Sequence, residues 1–284
     1  AEKPDQYLTM GIAEQNMCSW AAGLAREGYR PFLHTFSVFL SRRILDQVEM
    51  SVAYPNLPVT FVGFVPGITT PGGVTHQSIN DVGIMRTVPN MAIFDVGDAT
   101  DIEGVLDLVY EWNGPAYIRM LRKEVPRLFP ANEPMVFNRA RTITEGDDVL
   151  ILSSSICTEE AMRATAALED KGVSVQHMHV STLKPFTDPT IVEALKKCKY
   201  GVVTMENHYN IGGLGSAVAD LMAENGIGKK LIKIGLNGYA HGASKMYLMT
   251  KYGIDAMNLV KSVEELIGKD PVSYTHLTLP TILR

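Results

Sequence analysis

The stretch PVTFVGF, residues 58–64, is an apolar run that leads directly into a glycine-rich loop. A run of about four to eight apolar and β-branched residues bounded by turn signals is typical of a strand buried on both faces. The loop, GFVPGITTPGGVTHQ at residues 63–77, contains four glycines and ends near His76. Because open parallel sheets bind ligands at the carboxyl ends of their strands, we predict a functional loop here.

Strand-like and helix-like stretches alternate on both sides of this run. In the first half, strands are predicted at 31–36, 58–64, 90–96 and 116–121, and helices at 14–26, along Leu40, Ile44, Val48 and Val52, at 77–86, and after Asp98, which pairs with Asp101 as a cap. In the second half, strands are predicted at 148–154, 173–180, 200–206 and 230–236, and helices at 158–170, after Asp188, at 214–224 and near the end. This alternation predicts an α/β protein with two open, mostly parallel sheets.

The same pattern suggests domain boundaries. Residues 124–147 contain three prolines and show no sustained period, so we predict a linker between domains at 1–123 and 148–270. Residues 271–284 have the composition of a translated cloning adaptor, and we expect this tail to be non-native. The sequence does not begin with methionine, and we expect its start to be truncated.

Composition excludes several classes of function. The 284 residues carry a net charge of −5 and no lysine- or arginine-rich run, which argues against nucleic acid as a partner. The three cysteines are far apart, which favours a reducing compartment. No apolar run is long enough for a membrane span, and no signal peptide is recognisable, so we expect no membrane partner and a cytoplasmic location.

Glu14 lies in the stretch TMGIAEQNMCSW, residues 9–20, at the start of a predicted amphipathic helix. One interpretation is a solvated residue that opposes the positive end of the helix dipole. The other is a buried carboxylate with a chemical role. His76 has two similar interpretations, a surface residue or a catalyst. NIGGLGSA, residues 210–217, departs from the dinucleotide-binding spacing, and we interpret it as a tight strand-to-helix turn.

Six stretches, taken together and in order, resemble the C-terminal half of a transketolase, and more narrowly the separate C-terminal subunit of split bacterial transketolases. They are GIAEQNM (11–17), PFLHTFSVFLSRRILDQVE (31–49), TPGGVTHQSINDVGIMRTVPNM (70–91), GPAYIRMLR (114–122), GDDVLILSS (146–154) and ENHYNIGGLGSAV (206–218). The resemblance implies a thiamine-diphosphate-binding fold of the pyrimidine type, followed by a transketolase C-terminal domain. It also implies that a strand and a helix precede the equivalent of Tyr7.

The resemblance assigns roles to five side chains. Glu14 matches the glutamate that contacts N1′ of the cofactor's aminopyrimidine ring. Phe36 and Phe39 match a segment that packs aromatic rings against the pyrimidine. His76 matches a histidine that faces the sugar donor near its carbonyl carbon. Arg122 matches an arginine that binds the substrate phosphate.

The resemblance also implies partners and a reaction. In the family, the cofactor's diphosphate and its Mg²⁺ or Ca²⁺ ion are bound by a domain with a GDG-type motif, which this sequence lacks. We therefore expect the chain to bind no metal and to be inactive alone. It is expected to associate with itself and with an N-terminal subunit in a heterotetramer that transfers glycolaldehyde units between sugar phosphates, as in the pentose phosphate pathway.

Two departures leave the substrate open. Gly72 stands where transketolases usually have an acidic residue, and Phe64, Val65 or Pro66 replaces a second histidine. The ketose donor is therefore not fixed by the sequence. Two other interpretations also stay open. The chain belongs to another thiamine enzyme, such as a deoxyxylulose-phosphate synthase or a 2-oxoacid dehydrogenase β subunit, or it is a catalytically silent partner of the same fold.

Overall fold

A computed structural model of the protein describes residues 3–122 and 124–268, so the tail predicted to be non-native lies outside the described residues. The first half contains a 3₁₀ turn (Pro4–Gln6), α1 (Glu14–Arg26), β1 (Phe32–Phe36), α2 (Ser37–Ser41), α3 (Leu45–Gln47), a π-helical turn (Val48–Ala53), β2 (Thr60–Phe64), α4 (Asp81–Thr87), β3 (Ala92–Asp95), α5 (Ala99–Glu111) and β4 (Ala116–Met120). Its four strands pair in parallel in the order β1-β2-β4-β3. The register places Phe36, Phe64 and Met120 side by side at the carboxyl edge of this sheet.

The second half builds another sheet. It contains β5 (Arg141–Thr144), β6 (Val149–Ser153), α6 (Cys157–Glu169), β7 (Val175–His179), β8 (Thr182–Lys184), α7 (Pro189–Lys197), β9 (Gly201–Tyr209), α8 (Leu214–Glu224), β10 (Lys230–Leu236), α9 (Lys245–Tyr252) and α10 (Ala256–Leu266). The strand order is β10-β9-β6-β7-β5, parallel except for β5. The predicted fold class, α/β with two mostly parallel sheets, is confirmed. No helix of the described residues is both long and apolar enough to cross a membrane.

Two short strands correct the sequence prediction. β5 lies inside the stretch predicted to be a linker, 124–147, and pairs antiparallel with β7. β8 belongs to the second half by sequence but pairs antiparallel with β3, so it extends the first sheet to five strands. Both strands lie at sheet edges and have four residues or fewer. An edge strand pairs through its backbone groups, and a segment of three or four residues is too short to show an apolar period. The sequence pattern therefore does not reveal either strand.

The apolar positions Leu40, Ile44, Val48 and Val52 are all fully buried, as the sequence predicts. They do not lie on one α-helix, because the segment passes through α2, α3 and the π-helical turn. A strict four-residue spacing drifts by about 40° per step around an α-helix, which has 3.6 residues per turn. The wider π turn offsets part of that drift and keeps the four side chains on the core side.

The helix predicted at 77–86 begins only at Asp81. The residues before it are held in the preceding loop, because the Ser78 carbonyl accepts a hydrogen bond from Gly67 N at 2.8 Å. The Gln77 side chain donates to the carbonyls of Thr70 and His241, at 3.2 and 3.1 Å. Residues 65–80 therefore form one long loop, which we call the 65–80 loop.

The interpretation of NIGGLGSA as a strand-to-helix turn is confirmed, since it joins β9 to α8. An internal carboxylate occupies the helix N-terminus where a phosphate would otherwise bind. Glu206 accepts hydrogen bonds from Leu214 N at 2.7 Å and Gly215 N at 2.8 Å. A Cβ atom at Gly213 would collide with the same carboxylate. Burial raises the pKa of Glu206 to about 7.

A buried charge cluster joins the two halves. On β4, the Arg119 guanidinium bonds to Asp81 at 2.8 Å and to Asp95 at 2.9 Å. It also donates to the Asn207 carbonyl on β9 at 3.0 Å. The Ser154 hydroxyl, just beyond β6, donates to Asp95 at 2.8 Å. Because each member of the cluster is almost fully buried, the contact between the halves is fixed by these bonds as well as by apolar packing.

Candidate active site

Three phenylalanines form an aromatic wall at the carboxyl edge of the first sheet. Phe36 ends β1 and is the register partner of Phe64, which ends β2. The two rings meet edge to face with centroids 4.7 Å apart. Phe39, the third residue of α2, stacks on Phe36 with the ring centroids 5.7 Å apart. All three rings are only partly buried, so part of their apolar surface is open to a ligand.

Glu14 is the first residue of α1, and Arg43 joins it to this aromatic wall. Only 7% of the residue is exposed, which favours the interpretation as a buried carboxylate over that of a solvated cap. Its Oε2 accepts a hydrogen bond from Arg43 Nη1 at 2.9 Å. The Arg43 guanidinium in turn lies 4.0 Å from the centroid of the Phe39 ring.

His76 comes to the same wall from the 65–80 loop. Its ring lies edge-on to Phe36 and Phe39, with centroid distances of 5.8 and 5.7 Å. Its Nδ1 is 2.9 Å from the Thr75 hydroxyl. Gly72 lies under it, and a Cβ atom there would be 2.8 Å from His76 Cβ. An acidic side chain at position 72 would therefore require His76 to move, which gives a steric reason for glycine in this chain.

Arg122 lies two residues beyond β4, next to the other end of the wall. Its guanidinium is 5.3 Å from the centroid of the Phe64 ring, and the residue is exposed. The His34 ring lies 4.6 Å from the same phenylalanine. Partial burial, helped by the nearby charge of Arg122, lowers the pKa of His34, although a backbone hydrogen bond with Val62 acts in the opposite direction. This end of the site thus places an arginine cation and an imidazole on the same phenylalanine.

The second half of the chain holds the 65–80 loop in place. The Asn207 side chain, on β9, accepts from Ile68 N and donates to the Pro66 carbonyl, both at 3.0 Å. Tyr209 N donates to the Ile79 carbonyl at 2.6 Å. At the loop's start, Val65 has a φ of 51°, a left-handed conformation that is strained for a β-branched residue. These contacts fix both ends of the loop that carries His76.

The structure brings together all five side chains that the sequence predicts for the site. Ring contacts join Phe36, Phe39 and His76. Arg43 connects Glu14 to Phe39, and Phe64 connects Arg122 to Phe36.

Three neighbouring residues were missed as site residues. The sequence motifs offer Phe64 only as the replacement of a histidine, and they assign no role to Arg43 or His34. The spacing in the sequence does indicate both residues. Arg43 follows Phe39 by four residues, which is about one helical turn, and His34 precedes Phe36 by two residues, which places the two on the same face of a strand.

Two family models match the chain. Residues 1–127 match the pyrimidine binding domain of transketolase, and residues 138–258 match the transketolase C-terminal domain. The 6-deoxy-6-sulfo-D-fructose transketolase subunit of Clostridium sp. strain MSTE9 is 37% identical, over 93% of this chain and 82% of its own length. The chain belongs to the transketolase family. Members of this family are thiamine-diphosphate enzymes, and the first match is to the domain that is named for the cofactor's pyrimidine.

Other relatives extend this transketolase assignment. A putative transketolase C-terminal section from Methanocaldococcus jannaschii is 36% identical, over 95% of this chain and 85% of its own length. Among solved structures, a split-gene transketolase described as an inactive β4 tetramer is 34% identical, with a TM-score of 0.88. The match covers 94% of this chain and 86% of that one. Both sheets are therefore present in a relative of similar length.

Proposed function

We propose that this chain is a subunit of a thiamine-diphosphate-dependent transketolase that transfers a two-carbon ketol unit between sugar phosphates. The observation that carries the proposal is the buried carboxylate of Glu14 beside the aromatic wall, to which Arg43 joins it. Charged side chains are rarely buried, and those that are buried in clefts are concentrated at functional sites.

The residues present fit the aminopyrimidine half of thiamine diphosphate. That ring is a flat heteroaromatic with a nitrogen at its edge. A flat ring packs well on Phe36 and Phe39, and a carboxyl group at the ring's edge can hydrogen-bond to the nitrogen. Glu14 and Phe39 lie close enough for one flat group to contact both, since the Arg43 guanidinium does so.

When bound, thiamine diphosphate supplies a nucleophilic thiazolium carbon. Glu14 is proposed to share a proton with N1′ of the pyrimidine, which favours the tautomer whose 4′-nitrogen can accept a proton. Phe36 and Phe39 orient the ring and exclude water from it. His76 is proposed to hydrogen-bond to a donor oxygen near the carbonyl carbon, and Arg122 to bind the substrate phosphate in the planar geometry of a guanidinium.

The proposed enzyme has a second subunit, which binds the diphosphate and its Mg²⁺ or Ca²⁺ ion, as the resemblance to split transketolases implies. Two relatives whose names include "subunit" or "C-terminal section" support a divided enzyme. A related structure described as an inactive β4 tetramer supports self-association without activity. The donor sugar stays open, since one relative is named for a sulfo-sugar and Gly72 departs from the usual motif.

The test is Glu14→Gln in the complex of this chain with its N-terminal subunit. Glutamine cannot share a proton with N1′, so turnover should fall by orders of magnitude while the circular dichroism spectrum is unchanged. Glu27→Gln is the matched control, because Glu27 is exposed at the other end of α1 and should leave turnover unchanged. Near-normal turnover of the Glu14 variant would refute the proposed role.

A further inference from the structure

Arg43 makes the same two contacts that the proposed function assigns to the cofactor's pyrimidine. Its Nη1 donates to Glu14 Oε2 at 2.9 Å, and its guanidinium lies 4.0 Å from the Phe39 ring centroid. A guanidinium is a flat cation with N–H donors at its edge. An aminopyrimidine is also flat and presents a nitrogen at its edge, so both groups satisfy the same carboxylate and the same aromatic ring.

We propose that Arg43 occupies the position of the pyrimidine in the cofactor-free chain and swings out when thiamine diphosphate binds. This inference rests on the proposed function of Glu14 and Phe39. It explains how the free chain tolerates Glu14, whose side chain is only 8% exposed, because the carboxylate has a cationic partner until the cofactor arrives. The Arg43 side chain is 42% exposed, so its path outward is open.

The stacking contact makes the two occupants exclusive. Glu14 has two carboxylate oxygens, and an arginine on one of them leaves the other available. One face of the Phe39 ring, in contrast, accepts a single flat group at van der Waals distance. The guanidinium that covers this face therefore has to leave before a pyrimidine can stack there. Arg43 thus sets a cost on cofactor binding and ties it to a side-chain movement.

The decisive measurement is the dissociation constant of thiamine diphosphate, with Mg²⁺, for the two-subunit complex. Arg43→Ala removes the competing group and should bind the cofactor about five- to tenfold more tightly, as expected for loss of one partly exposed ion pair and one cation–π contact. Arg42→Ala is the matched control, since Arg42 is also exposed but contacts the Val74 carbonyl at 3.5 Å. Its dissociation constant should equal that of the wild type. Unchanged or weaker binding by Arg43→Ala would overturn the inference.

Arg43→Lys tests the stacking contact separately and guards against a folding defect in the alanine variant. Lysine keeps a cation near Glu14 but has no flat group for the Phe39 ring, so binding should tighten about two- to threefold. Binding as weak as that of the wild type would show that stacking does not matter and would refute exclusivity.

The two proposals fail differently. If the wild-type complex binds no thiamine diphosphate, the proposed function fails and this inference fails with it. If the wild type binds the cofactor and Glu14→Gln is inactive, but Arg43→Ala binds no more tightly, only the inference about Arg43 fails.

Discussion

At the scale of single residues, Arg122 is the candidate site residue whose proposed role is simplest to test. The side chain is exposed, and its guanidinium lies 5.3 Å from the centroid of the Phe64 ring. Within the described residues it makes no ion pair, whereas Arg127, five residues later, is paired with Glu103 at 2.8 Å. An exposed guanidinium beside the site is suited to bind a phosphate from solution.

We predict that Arg122→Ala raises KM for phosphorylated substrates much more than for a non-phosphorylated ketol such as hydroxypyruvate. A hydrogen bond to a charged group contributes about 1.5–3 kcal/mol, so the difference should be roughly tenfold to a hundredfold. Steady-state kinetics of the two-subunit complex would measure it. Arg127→Ala is the control and should change neither KM. Equal losses for both substrates would assign Arg122 a structural role.

At the scale of elements, the 65–80 loop depends on a strand from the other half of the chain. Asn207 on β9 bonds to the Pro66 carbonyl and to Ile68 N, and both of its partners lie at the loop's start. The side chain is completely buried. Since His76 sits in this loop, the position of the candidate catalytic histidine is set in part by the C-terminal sheet.

Asn207→Ala should therefore loosen the 65–80 loop. It leaves a buried carbonyl and a buried N–H without a partner, which should lower the free energy of unfolding by about 2 kcal/mol. Amide hydrogen exchange should accelerate at residues 66–79 and remain unchanged in α5. Asn225→Ala, at the exposed end of α8, is the control. If loop exchange in the Asn207 variant matched the wild type, β9 would not be what holds the loop.

At the scale of the whole molecule, the two sheets meet around one buried cation. Arg119 bonds to two carboxylates of the first half and to the Asn207 carbonyl of the second. Burial raises the pKa of Asp95, although Arg119 and the Ser154 hydroxyl act in the opposite direction. The carboxylates of the cluster depend on this cation, because removing one partner of a buried ion pair leaves an uncompensated charge.

We predict that Arg119→Met destabilises the chain by about 3–5 kcal/mol at pH 7, because it leaves buried carboxylates without a cation. Without the cation, the folded-state pKa of Asp95 should rise further above its unfolded value. The loss of folding stability caused by the unpaired carboxylate is then absent below the unfolded pKa and grows as pH rises. The stability difference between the variant and the wild type should therefore shrink from pH 7 to pH 5. Urea unfolding at both pH values measures this, with Arg127→Met as the exposed control. A deficit independent of pH would contradict the argument.

The sequence alone determined the fold class and the longer elements. Helix α1 runs over Glu14–Arg26 and α8 over Leu214–Glu224, as their apolar periods predict, and the Asp98 side chain caps α5 as its spacing with Asp101 indicates. These features are local, because a helix period, a cap or a buried strand needs only neighbouring residues. The ordered motifs of the family also gave five candidate site residues, since each lies in a recognisable stretch.

Only the tertiary structure decided which distant groups meet. It placed β8 in the first sheet and β5 in the second, because edge strands pair through backbone atoms that any sequence provides. It joined Arg43 to Glu14 across 29 positions and packed His76 over Gly72 closely enough to exclude a side chain there. Such contacts depend on the packing of separate elements, and no local pattern in the sequence records which surfaces will touch.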